Sequence, residues 1–254
     1  VDRHGFAKFA FATHLKELAI LLGWQGDKEP QRGRLLLQEL GQTIRTFDEG
    51  YWVRALLRNF EAKKWVSIMQ RISYPYTLEN LAETILHFST ADTITVDSVT
   101  AMLRQISEEY CQKTGIEFQP FNTFEQVINK RQEILGNFPD CTCQRKIIVD
   151  CRHDNEITIP RIWAANKNLD AYFILIKRKN GNPEQRKNAE EWTQHVSEKG
   201  VSLIPDLIIL NDKTLDALSL KADKLMSRIE IGRLLFDQTK QALRAAAIGQ
   251  EISL

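Results

Sequence analysis

The sequence predicts an α/β fold: a parallel sheet flanked by helices, with a helical insertion. Three observations carry this reading. Short apolar, largely β-branched runs occur at 145–150, 171–176 and 206–210, as expected of strands buried on both faces. Helical patterns follow the first and third runs, the rhythm of a doubly wound sheet. Residues 72–145 carry helix caps but no strand pattern, and a run of that length is too long for a plain loop.

Leu15, Leu18, Ala19 and Leu22 recur at helical spacing, so residues 8–22 read as a helix after an extended start. Gly23-Trp24-Gln25-Gly26-Asp27 breaks it. A second helix covers 31–45, with Leu35, Leu36, Leu37 and Leu40 on one side and Arg34, Gln38 and Arg45 on another. A third covers 48–71, with Asp48 as its N-cap. Within the insertion, Thr77, Asp97 and Asn122 are expected to cap helices running to about Phe88, Thr114 and Leu135. After the strand at 145–150 comes a helix from Ile157 to Asn166, with Pro160 in its first turn. The polar stretch 179–198 reads as a solvated lid, and a helix at 214–229 and a helical tail to about Ala247 close the chain. The domain layout expected is 1–71 and 146–230 as two parts of one core, 72–145 as the insertion, and 231–254 as the tail.

Composition excludes more than it selects. The 254 residues are 43% hydrophobic and 26% charged, ordinary for a globular protein. A net charge of +1 argues against nucleic acid as a partner, and no apolar run is long enough to span a membrane. Cys111, Cys141, Cys143 and Cys151 are too sparse for a secreted disulfide scaffold, so reduced thiols in the cytoplasm are expected. Cys141, Cys143, Cys151 and His153 match no standard zinc spacing.

Ligands of open parallel sheets sit beyond the carboxyl ends of the strands. Asp150 and Arg152 fall at such an end. The carboxylate could hold a metal-bound water or a sugar, and the guanidinium could grip a phosphate. On spacing alone a loop ion pair is the favoured reading. Arg34 and Gln38, at i and i+4, share a helix face that suits a monophosphate and a base edge, or simply solvent. Trp52 fits a core position.

Several short motifs stand in a fixed order: Phe9-Ala10-Phe11-Ala12-Thr13-His14-Leu15-Lys16-Glu17, Gly33 to Gly41, Tyr51-Trp52-Val53, Val149 to Glu156, His195-Val196-Ser197-Glu198 and Asn211-Asp212. In that order the chain resembles the deoxynucleoside monophosphate kinases of phages and bacteria. The likeness covers 6–65 and 146–225. It implies a three-layer P-loop kinase fold that transfers a phosphoryl group from ATP, with Mg²⁺, to a nucleoside monophosphate. The Asp-x-Arg-x-x-Asn-Glu signature falls on Asp150, Arg152, Asn155 and Glu156, and makes Cys151 a spacer. The resemblance places Arg34, Gln38, Arg45, Trp52 and Lys16 around the acceptor. It places Arg178 and Arg186 in a lid that neutralises transition-state charge, and Asn211 and Asp212 near the adenine. Thr13-His14 stands where family members carry Asp-Pro, which removes a carboxylate from the acceptor site.

No Gly-x-x-x-x-Gly-Lys-Ser/Thr loop occurs in the 254 residues; Gly23-Trp24-Gln25-Gly26 lacks the lysine and hydroxyl. Two expectations follow. Either a strand–loop–helix unit of about 20–30 residues belongs before Val1, or the chain is a non-catalytic relative. In the second case the 72–145 insertion docks a protein partner or a second copy.

Overall fold

Lys8 is exposed while Ala7 and Phe9 are buried, and this two-residue alternation makes the opening segment a strand. The computed structural model describes residues 6–26, 32–62, 65–138, 141–143, 145–149, 151, 153–178, 202–211, 214 and 216–231, with backbone alone at 32, 177, 178, 210 and 211. The chain divides into two compact units: Val1–Ala171 with Thr193–Leu203, and Tyr172–Trp192 with Ile204–Leu254.

The first unit holds β1 (Phe6–Ala10), α1 (Ala12–Leu21), α2 (Arg32–Phe47) and α3 (Tyr51–Ala62). A short 3₁₀ turn (Ile68–Gln70) leads to α4 (Leu78–Phe88), α5 (Val96–Thr114) and α6 (Phe124–Leu135), then to β2 (Arg145–Val149) and α7 (Asn155–Asn166). β1 and β2 pair in parallel, from Phe6 opposite Arg145 to Ala10 opposite Val149. The second unit holds β3 (Ile174–Arg178) and β4 (Leu207–Asn211), also parallel, followed by α8 (216–231). The protein is thus mixed α/β and largely helical, and its described strands form two two-stranded parallel sheets.

The parallel strands and the helices of 72–145 agree with the sequence reading; several boundaries move. The expected helix over 8–22 gives up its first residues to β1. The expected helix over 48–71 ends at Ala62. Thr77 caps α4 as expected, accepting the Asn80 N–H. Thr95 and Thr123 cap α5 and α6, one or two residues from the positions expected, and accept the N–H of Ser98 and Gln126. Gly115 closes α5 in the left-handed region at φ 72°, where a Cβ would be strained.

α1 lies at the centre of the first unit: Leu18, Ala19, Ile20 and Leu21 are all buried, so its second half is apolar on every side. Gly41 of α2 lets it approach, since a Cβ there would meet Leu15 Cδ2 at 3.2 Å. Segment 72–145 shares this core. Leu81, Ile85 and Phe88 of α4, Leu103 and Tyr110 of α5, and Val127 of α6 belong to the same buried cluster as α1 and α3.

A charged network is sealed inside that cluster. Glu17, wholly buried, accepts hydrogen bonds from Trp65 Nε1, Ser67 Oγ and Arg131 Nε, each at 2.8 Å. Arg131 of α6, 1% exposed, also donates to Gly136 O at 2.6 Å and lies over the Phe138 ring at 3.7 Å. His14 stacks on Trp65 with centroids 4.5 Å apart and lies 3.5 Å from Glu17. Asn59 Oδ1 accepts the Val66 N–H, which turns Nδ2 toward His14 Nε2 at 2.9 Å. The imidazole therefore accepts at Nε2 and presents Nδ1–H to Glu17. Burial pushes the Glu17 pKa up, but His14 and Arg131 outweigh it and hold the carboxyl below its usual range.

Glu17→Gln leaves Arg131 a buried, uncompensated cation. Urea unfolding should show a loss of about 3–5 kcal/mol, and Glu17→Gln/Arg131→Met should recover a large part of it. Equal losses in the single and double variants would show that the two charges are not coupled.

Candidate functional site at the carboxyl edge of β1 and β2

Parallel pairing brings Ala10 and Val149 to one edge of the sheet, and the chain leaves each strand there toward a helix N-terminus. After β1 the turn is a single residue, Phe11, which is buried. After β2 the chain passes through 150–154 into α7. That helix begins at Asn155, two residues before the expected Ile157, so Pro160 lies beyond its first turn. Pro160 has no N–H for the Glu156 carbonyl. The Cys151 thiol, 4.0 Å from that oxygen, supplies a weak donor instead. Asp154 does not cap α7 with its side chain. Its carboxylate accepts from Ser202 N–H at 2.8 Å, from Ser202 Oγ, and from Leu203 N–H at 3.3 Å. The Ser202 hydroxyl and amide are the main reason its pKa is lowered.

The start of α7 meets the end of α2. Arg45 Nη2 pairs with Glu156 Oε1 at 2.9 Å, with both side chains largely buried. Glu156 Oε2 accepts the His153 N–H at 3.3 Å. Asn155 Nδ2 donates to Glu49 O at 2.6 Å, and Asn155 Oδ1 is buried without a partner. Earlier on the same face of α2, Gln38 Nε2 and Gln42 Oε1 are likewise buried with no partner. Gln38, Gln42 and Arg45 follow one another at intervals of four and three residues, so they form one stripe.

Behind the stripe, Asp48 braces three elements. It accepts from Arg54, from Ser89 Oγ at 2.8 Å and from Thr90 N–H at 3.0 Å. The sequence reading made it an N-cap; the structure uses its side chain to tie α3 to the end of α4. Burial alone would raise the Asp48 pKa, but these three donors outweigh it and hold the carboxyl below its usual value.

Of the residues singled out in the sequence, Arg45, Asn155 and Glu156 converge. Arg34 and Gln38 share their α2 face, and Lys16 on α1 is half-buried. Trp52 is 2% exposed and donates Nε1 to Gly41 O at 3.3 Å, so it is a core residue. Arg178 and Asn211 are register partners at the ends of β3 and β4. Asp150, Arg152, Arg186 and Asp212 lie outside the described residues, as do His195, Ser197 and Glu198. Gln42 and Asp48 were not singled out for chemistry. Gln42 was visible as i+4 from Gln38, whereas Asp48 carries no local signal.

An oxyanion and a heteroaromatic edge are the chemistry this stripe suits. Arg45 offers N–H donors beyond the one spent on Glu156, and the amides offer neutral donors and acceptors. Among the described residues, the β1–α1 turn is one buried side chain and offers no backbone cradle for a donor phosphate. Among the described residues, no three His, Cys, Asp or Glu side chains gather as metal ligands. No family model, curated protein or solved structure matches this chain.

The sign of the Asp48 shift sets a pH dependence. A carboxyl with a lowered folded-state pKa stabilises the fold above its unfolded value, near 4, and that contribution fades as pH falls through the folded pKa. Urea midpoints measured from pH 6 down to pH 2.5 should therefore fall on the acid side, and Asp48→Asn should flatten part of that fall. An unchanged acid limb in the variant would remove Asp48 from the account.

Proposed function

We propose that the chain binds a deoxynucleoside monophosphate at the carboxyl edge of β1–β2 and serves as the acceptor side of a phosphoryl-transfer enzyme, with ATP as donor and Mg²⁺ as the metal. The supporting observation is the Arg45–Glu156 pair beside Asn155 at the start of α7, on the α2 face that also carries the unpartnered amides of Gln38 and Gln42. The motif order, read as a kinase-like three-layer sheet, adds the rest. In this reading Arg45, Arg34 and Arg152 take the monophosphate, and Gln38 and Gln42 meet the base edge. Asp150 supports sugar or metal. Lys16 and Glu156 hold the acceptor walls; Glu156 does so by orienting Arg45. The donor-phosphate grip is left to residues other than those described. No helix among the described residues is long and apolar enough to cross a membrane.

A second reading, binding without catalysis, is favoured by the uncradled β1–α1 turn. In that case 72–145 would meet its partner through exposed faces, because its apolar side is already spent on the common core.

Calorimetry with dAMP, dGMP, dCMP and dTMP, followed by a coupled assay with ATP and Mg²⁺, separates the two. We expect one monophosphate to bind with Kd between about 1 μM and 1 mM. Gln38→Ala and Arg152→Ala should each weaken it about tenfold, the equivalent of about 1.4 kcal/mol. Binding without turnover selects the second reading; no binding of any of the four at millimolar concentration overturns the proposal.

A further inference from the structure

The α3 and α7 helices run side by side in the same direction. Asn155 reaches Glu49 O at one end, and at the other Glu61 takes the Trp163 Nε1–H at 3.1 Å and Lys167 Nζ at 3.4 Å. Between them lies an open groove of about 330 Å³, within the size range of small-molecule sites. None of its residues belongs to the α2 stripe. Leu57 forms the floor, Ile159, Ile162 and Trp163 form the α7 wall, and Arg54 and Arg58 form the α3 wall.

Two properties suit this groove to a ligand. Its aromatic wall is already held in place: the Trp163 ring meets Phe60 edge to face at 5.8 Å, and its N–H is fixed by Glu61. Little ordering cost remains for a ligand to meet. Ile162 is 56% exposed, which leaves a large aliphatic side chain uncovered beside it.

The charge of the groove is one-sided. Glu61 is satisfied by Trp163 and Lys167, and Arg54 is spent on Asp48, although its Nε–H is buried without an acceptor. Arg58 is exposed and rests over Phe88 at 4.9 Å, and among the described residues no carboxylate pairs with it. An apolar wall facing an uncompensated guanidinium complements an apolar body with one anionic head.

From this we infer that the α3–α7 groove, lined over about two helical turns or about 10 Å from Ile159 to Asn166, binds an amphipathic carboxylate. The chain lies along Ile159, Ile162 and Trp163, and the carboxylate meets Arg58. The inference goes beyond the nucleotide reading and stands apart from it.

Calorimetry with octanoate, octan-1-ol and octyltrimethylammonium on the full chain tests it, with circular dichroism to confirm that each variant is folded. Octanoate should saturate one site and bind at least tenfold more tightly than octanol, with the cation weaker still. Arg58→Ala should abolish the preference for octanoate over octanol, Arg58→Lys should restore part of it, and Ile162→Asp should weaken both ligands at least tenfold. Equal binding of octanoate and octanol, an unchanged preference in Arg58→Ala, or no saturation would overturn the proposal. So would a concentration-dependent dimer that Ile162→Asp dissolves, because the occupant would then be a second copy. Octanoate binding that survives saturation with the bound monophosphate is expected, and either result can fail without the other.

Discussion

The first unit is organised around one ion pair that cannot reach water. Glu17 and Arg131 are 114 positions apart, and their contact commits α1 to α6 at a single depth and rotation. An unpaired charge at this depth costs several kcal/mol, so arrangements that separate the two are penalised strongly. The remaining lone pairs of Glu17 recruit Trp65 and Ser67, which sets the path of the chain after α3. His14 is held between Glu17, Trp65 and Asn59, so the residue that departs from the Asp-Pro of the kinase motif has a structural task here. The segment 72–145 is bound into the fold by the same contact, because Arg131 comes from it.

From that fixed centre the candidate site follows by two further ties. Asp48 fastens the α2–α3 corner to the end of α4, and Arg45–Glu156 fastens the end of α2 to the start of α7. Both ties use charged groups with partners on other elements, so they set angles between helices and not merely distances. The early start of α7 matters for the same reason. Had the helix begun at Ile157, Glu156 would precede it and would not be held beside Arg45. Cys151 helps that start by offering its thiol to the carbonyl that Pro160 leaves unserved.

The elements of the fold were largely legible because their signals are local. Threonine caps, apolar periodicity and β-branched runs act over a few residues, and α4, α5, α6 and β2 lie within a few positions of their expected bounds. β1 was read only as an extended start to the helix, because its five residues run directly into the apolar pattern of α1, although Ala7 and Phe9 alternate with Lys8. The stripe of Arg34, Gln38 and Arg45 was legible for the same reason, as helical spacing is a property of sequence. Its meeting with Asn155 and Glu156 was suggested only by resemblance, since the two groups are more than 100 residues apart. Trp52 shows the reverse: a motif position that the structure places in the core, donating to Gly41 O.

By itself the sequence determined the helices, the short parallel-type strands, the modest charge and the absence of a Walker A pattern. Each of these depends on neighbouring residues or on composition alone. The tertiary structure decided which charges are buried together, that Glu17 belongs to the core and not to a binding face, and which strands pair. It also decided that α3 and α7 leave an apolar groove beside the exposed Arg58. The physical reason is the same in each case. Burial, ion pairing and grooves are relations between distant segments, whose free energies depend on the distance and dielectric between groups, and a linear sequence specifies neither until the chain has packed.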